Sequence, residues 1–193
     1  MTKWLSHRMV ERGIIKEEEQ ELYQFGIRNG MILLLNVVTA LVIGLLTEQL
    51  AVVAVFTLSF MVLRSYTGGY HSDSRIFCYI GSNLVLLVPV YTQAVFYKTS
   101  LAWLLAVLLV SAGIIFLLSP MHSKNRKLDK EEQKHFGRKA RLIAALELAV
   151  LGILWHAGKI PYAYAVYTGI CITALFMLVG KAQLWIQSHT QNG

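Results

Sequence analysis

Long apolar runs separated by short polar connectors set the pattern of this chain. Six stretches stand out, at Asn29–Thr47, Leu50–Leu63, Phe77–Tyr97, Leu101–Met121, Leu142–Gly158 and Ile160–Gly180. A helix of about 20 apolar residues crosses a hydrocarbon core of about 30 Å, so each stretch predicts a membrane-crossing helix. The second has 14 residues. It would span only about 21 Å, so it must recruit flanking residues or thin the bilayer. Before the first stretch, residues 1–28 scatter Trp4, Leu5, Met9, Ile14, Ile15, Leu22 and Tyr23 among charges, with a break near Gly13. That pattern predicts one or two amphipathic helices on the inner membrane face, and a solvated leader helix is the alternative. The expected fold class is therefore an all-α, polytopic membrane helix bundle with six transmembrane segments. Residues 1–28 form its cytoplasmic amphipathic region, 29–180 its membrane domain and 181–193 a short cytoplasmic tail.

Lysine and arginine accumulate on the cytoplasmic side of membrane proteins, which gives an orientation. With the N-terminus inside, the inner side holds five basic residues before the first span, Arg64 and Arg75 after the second, eight in 122–141 and Lys181. The outer side holds only Lys98 and Lys159. Omitting the short second span would put the N-terminal charges and Arg64–Arg75 on opposite faces. Six spans with both termini cytoplasmic is the consistent solution.

Composition agrees with that class. Hydrophobic residues make up 55% and charged residues 15% of 193 positions, too little polar surface to cover a soluble globule of this size. The charged N-terminal region lacks the compact apolar run and small-residue site of a cleaved signal peptide. The basic stretch 122–141 has no aromatic interleaving, so its charge does not predict nucleic-acid binding. Setting topology and contacting lipid accounts for most of that charge, and docking an acidic partner is the sharper reading. Cys78 and Cys171 are too few and too far apart for a disulfide framework, and Cys171, inside an apolar run, reads as a small buried hydrophobe.

The polar interruption with chemical character is RSYTGGYHSDSRIFC, Arg64 to Cys78. On the cytoplasmic face Cys78 stays a thiol, and His71, Arg64 and Arg75 lie near it in sequence. On one straight helix His71 and Cys78 would stand about 10.5 Å apart along the axis. A general base must come within about 3 Å of its proton or reach it through one water. The pair can therefore cooperate only if the chain folds back, and Gly68-Gly69 supplies permissive backbone for that turn. The expected geometry is His71 on an interfacial loop and Cys78 in the first turn or two of the third span. Spacing alone is a weak signal and also fits a plain connecting loop. Asp73 is a candidate to orient His71, or a solvated loop carboxylate. His71, Cys78 and Asp73 fall short of a closed zinc site, so neither metal nor cofactor is expected. Glu147, an acid within the fifth span, reads as an interhelix contact or as part of the active cavity. Asn83 and Pro89 in the third span read as packing and a kink.

The string R-x4-G-G-x-H-x6-C, carried by Arg64, Gly68, Gly69, His71 and Cys78, resembles the signature of the accessory gene regulator protein B (AgrB) family. The charged leader IIKEEEQELYQFGI, the six spans and SPMHSKNRKL after the fourth extend the resemblance over roughly residues 10–180. It implies a membrane cysteine endopeptidase of Gram-positive bacteria that matures quorum-sensing peptides. Cys78 is then the nucleophile and His71 the general base, with Arg64, Gly68 and Gly69 in supporting or substrate-positioning roles. The implied partner is a short propeptide with an amphipathic leader and an acidic tail. The N-terminal helix and the basic residues Lys124, Arg126 and Lys127 are candidate docking surfaces for it. A homodimer is also expected. A six-span peptide exporter fits the hydrophobicity equally well, but gives no reason for the Gly-Gly-x-His-x6-Cys string, and a peptide-recruiting scaffold stands third.

Overall fold

The structure is a computed structural model that describes residues 2–68, 75–121 and 129–190. Among the described residues every regular element is helical. In chain order these are α1 (Thr2–Glu11), a 3-10 turn (Glu17–Glu19), α2 (Gln20–Leu46), α3 (Leu50–Thr67), α4 (Arg75–Tyr91), α5 (Gln93–Lys98), α6 (Leu101–Leu118), α7 (Lys130–His156) and α8 (Ile160–Thr190). Two compact units divide the chain, Met1–Thr39 and Ala40–Gly193. In the first, α1 stops before Gly13, whose φ of +65° lies in the left-handed region that glycine enters without penalty.

Among the described residues four helices are long and apolar enough to cross a membrane, over Glu17–Leu46, Leu50–Thr67, Leu101–Leu118 and Ile160–Ile186, as befits a membrane protein. A shorter apolar segment covers Tyr79–Tyr91, and α7 turns apolar only after Arg141. The short second stretch is lengthened as its size required: α3 runs on through Arg64–Thr67 to reach 18 residues, about 27 Å. Arg64 is therefore a helix residue rather than a loop residue.

The third apolar stretch, expected as one helix to Tyr97, is divided at Thr92 into α4 and α5. Pro89 lies inside α4, where it removes one ladder donor and crowds the preceding turn. Thr92 Oγ1 then donates to the Val88 carbonyl (2.8 Å), and the Tyr164 hydroxyl of α8 pairs with Thr92. Below the break, Phe96 packs on Tyr164 (4.8 Å between centroids), Tyr167 (5.3 Å) and Trp155 (6.2 Å).

The basic loop expected over 122–141 is also shorter than its charge pattern suggested. Asp129 caps α7, accepting from the Glu132 N–H at 2.7 Å. Residues 130–141 are thus the opening turns of the helix that continues into the fifth apolar stretch. Lysine, glutamate, glutamine and arginine are all good helix formers, so a polar run bounded by a capping box extends a helix readily.

At the centre of the second unit, α8 packs against α3, α6 and α7. Phe56 and Leu63 from α3, Ile115 from α6, and Ile170 and Met177 from α8 are fully buried. Leu105, Leu109, Val110 and Leu117 of α6 face outward and exposed. Apolar side chains on both the inner and outer faces are what a lipid solvent requires and what water would penalise.

Candidate active site

The last turn of α3 is built around Arg64 and Gly68. The Arg64 guanidinium lies 4.8 Å from the Phe176 ring centroid and 5.9 Å from that of Phe60, and its Nη1 donates to the Gly68 carbonyl at 3.4 Å. Four residues of helical spacing place the two on one face. Gly68 ends the helix with φ +72° and ψ −149°, and its N–H donates to the Arg64 carbonyl (3.3 Å). A Cβ at Gly68 would sit 2.6 Å from the Met121 carbonyl oxygen, so backbone angle and space both require glycine there.

Across this turn, the Met121 N–H donates to the Thr67 carbonyl at 2.9 Å. The segment that follows α6, Ser119-Pro120-Met121 with a cis Ser119–Pro120 bond, is thereby stitched to the end of α3 at Gly68. From the other side, Gly137 of α7 closes on the same segment, where a Cβ would meet Pro120 Cδ at 3.0 Å. Tyr66 stacks at a tilt on Phe136 (6.3 Å) under Lys139 Nζ (5.8 Å), and Arg141 Nε donates to the Phe116 carbonyl (3.1 Å). The ends of α3 and α6 and the beginning of α7 therefore converge beside the segment that leads to His71 and Cys78.

Among the residues singled out from sequence, Arg64 and Gly68 are brought together. Cys78 is the fourth residue of α4, in its first turn, at the place expected for it. Gly69, His71 and Asp73, and the docking candidates Lys124, Arg126 and Lys127, lie outside the described residues, as does the side chain of Cys78. The expected convergence of His71 and Cys78 falls with them. No group of three His, Cys, Asp or Glu side chains suited to a metal occurs among the described residues.

Glu147 is an interhelix contact. Ser59 Oγ of α3 donates to Glu147 Oε2 of α7 at 2.8 Å. Gly169 of α8 closes the node, since a Cβ there would lie 2.6 Å from Ser59 Oγ. Cys171, expected as a buried small hydrophobe, is partly buried, with Ser111 and Tyr167 beside it. Ser59, Gly169, Gly137 and Met121 were not singled out from sequence. The available signal was small residues within apolar helices, which let helices approach closely.

The family model described as "Accessory gene regulator B" matches residues 1–178. A putative AgrB-like protein of Clostridium perfringens strain SM101 is 22% identical, the match covering 74% of this chain and 69% of the relative. A second putative AgrB-like protein, from C. perfringens strain 13, is 24% identical with 83% of each chain covered. The accessory gene regulator protein B of Staphylococcus intermedius is 26% identical, with 79% and 80% covered. No solved structure matches. A match that spans nearly the whole chain leads to one conclusion: the chain belongs to the accessory gene regulator B family.

Proposed function

We propose that this protein is a membrane cysteine endopeptidase that removes the C-terminal tail of a quorum-sensing propeptide and promotes its cyclisation. Family membership implies a role in quorum-sensing peptide processing. The observation that supports the cysteine mechanism is the position of Cys78 in the first turn of α4, ten residues along the chain from Gly68, which Arg64 anchors. A thiolate in that turn would meet free backbone N–H groups and the positive end of the helix dipole.

In this mechanism His71 takes the Cys78 thiol proton as the sulfur attacks the carbonyl at the tail junction. Collapse of the tetrahedral adduct breaks the C–N bond, and His71 returns the proton to the leaving amine. The peptide is left as a thioester on Cys78. An internal cysteine thiol or serine hydroxyl of the same peptide then attacks the thioester, frees Cys78 and closes a thiolactone or lactone. Arg64 positions substrate or stabilises the developing oxyanion. A site at the membrane interface would limit competing hydrolysis. The reading includes six spans, both termini and the active segment cytoplasmic, and a homodimer. The substrate carries an amphipathic leader, docked at the N-terminal helix, and an acidic tail attracted by the basic segment after α6.

The test is co-expression with the propeptide followed by mass measurement of peptide products. Wild type yields tail-cleaved peptide, and Cys78→Ala and His71→Ala do not. Cleaved peptide from either variant overturns the protease reading, and loss of export alone favours an exporter.

A further inference from the structure

We propose that the groove between α7 and the segment after α6 is a binding site for the headgroup of an anionic phospholipid. The groove encloses about 580 Å³ and is lined by Lys134, Arg138 and Arg141 on one side and by Ser119 and Pro120 on the other. Among the described residues three cations line it and no carboxylate does. The Ser119 hydroxyl is buried without a hydrogen-bond partner, a donor available to a phosphate oxygen. Arg141 is steadied by its Nε bond to the Phe116 carbonyl, which leaves its terminal nitrogens to meet an anion in the bidentate manner that guanidinium permits.

What favours a lipid over an acidic peptide is the continuation of the same ridge of side chains along α7. Lys134 and Arg138 are followed at the same four-residue spacing by Leu142, Leu146 and Val150, a continuous ridge that winds about 40° round the helix axis at each step. These three are 61%, 56% and 45% exposed. From Arg138 to Val150 the stripe is about 18 Å long, enough to cover one leaflet, which is half of a core of about 30 Å. Leu117 of α6, which also lines the groove, is 84% exposed. Cations at one end and a leaflet-deep apolar track beyond them match an amphiphile with a phosphate head and acyl chains. A carboxylate-rich peptide would use the cations and leave the track bare.

The experiment is native mass spectrometry of the full chain taken from micelles holding equal phosphatidylglycerol and phosphatidylcholine. The expected result is retained phosphatidylglycerol in excess over phosphatidylcholine. Affinity should fall about 25-fold in Lys134→Gln/Arg138→Gln, roughly fivefold per basic group, and should not change in Lys159→Gln, in the connection between the far end of α7 and α8. If the double variant loses helical circular dichroism, Arg138→Gln alone should show the fivefold loss while Arg138→Lys retains the lipid. Equal retention of the two lipids, or unchanged retention in the groove variants, overturns the site. Displacement by millimolar inorganic phosphate or glycerol phosphate as effective as by the lipid would overturn it as a lipid site. Displacement by a soluble Asp/Glu-rich peptide at micromolar concentration would assign the groove to a peptide instead.

Discussion

The Met121 backbone N–H donates to the Thr67 carbonyl at 2.9 Å, joining the exit of α6 to the last residue of α3. That bond holds the segment after the fourth apolar stretch against the end of α3 at Gly68, although more than fifty residues separate them. Gly68 sits against Met121, and a change that separates the two strands of chain disturbs the helix end at Gly68.

Gly68→Ala should therefore abolish or nearly abolish tail cleavage. A Cβ would meet the Met121 carbonyl at 2.6 Å with φ at +72°, and strain of this kind costs roughly 1–3 kcal/mol. Gly113→Ala in α6, where nothing lies within 4 Å of the added carbon, should be neutral or stabilise by up to about 1 kcal/mol. Cleavage by mass spectrometry and thermal unfolding in detergent check both, and equal effects would contradict the turn's role.

Arg64→Lys should lower cleavage about tenfold while leaving helical content unchanged. A lysine keeps the charge, but its ammonium cannot lie flat over the Phe176 ring and also donate to the Gly68 carbonyl as the guanidinium does. Single-turnover rates against circular dichroism separate the two effects, and a wild-type rate in the lysine variant would remove Arg64 from the site.

At the Ser59–Glu147–Gly169 node the expected result is non-additivity. Glu147→Ala leaves the Ser59 hydroxyl without its acceptor and should cost about 1–3 kcal/mol, whereas Glu147→Gln keeps an acceptor oxygen and should cost less. Gly169→Ala is blocked chiefly by Ser59 Oγ at 2.6 Å, so Ser59→Ala should recover part of its loss. Unfolding midpoints of the two single variants and the double variant measure the coupling, and strict additivity would refute the packing described.

Orientation is open to direct chemical test. In a background lacking Cys78 and Cys171, Lys98→Cys and Lys159→Cys should react with a membrane-impermeant maleimide on intact cells. Arg138→Cys should react only after lysis. Labelling of all three from outside, or of none, would break the six-span arrangement.

Apolar stretches announced the helices well because each helix must cover itself with nonpolar side chains whatever its neighbours do. The ends were less legible. Arg64–Thr67 reads as polar loop by hydropathy, yet it extends α3, because Arg64 finds the Phe60 and Phe176 rings and a helix end supplies its carbonyl partner. Residues 130–141 read as loop by charge, although the Asp129–Glu132 capping box was visible in sequence as a start signal. The Arg64–Gly68 pairing was accessible from four-residue spacing. The Met121–Thr67 bond and the Ser59–Glu147 contact were not, since partners so distant in sequence leave no local periodicity to read.

One unbroken helix carries both the groove cations and Glu147. Arg138 and Glu147 are about 13.5 Å apart along its axis, with no break between Lys130 and His156. A load placed on the polar end of α7 is therefore delivered as tilt or rotation to the carboxylate that grips Ser59 on α3, the helix whose last turn holds Arg64. Such a rod would act as a lever, with its handle at the groove cations and its bite about one and a half turns before Arg64.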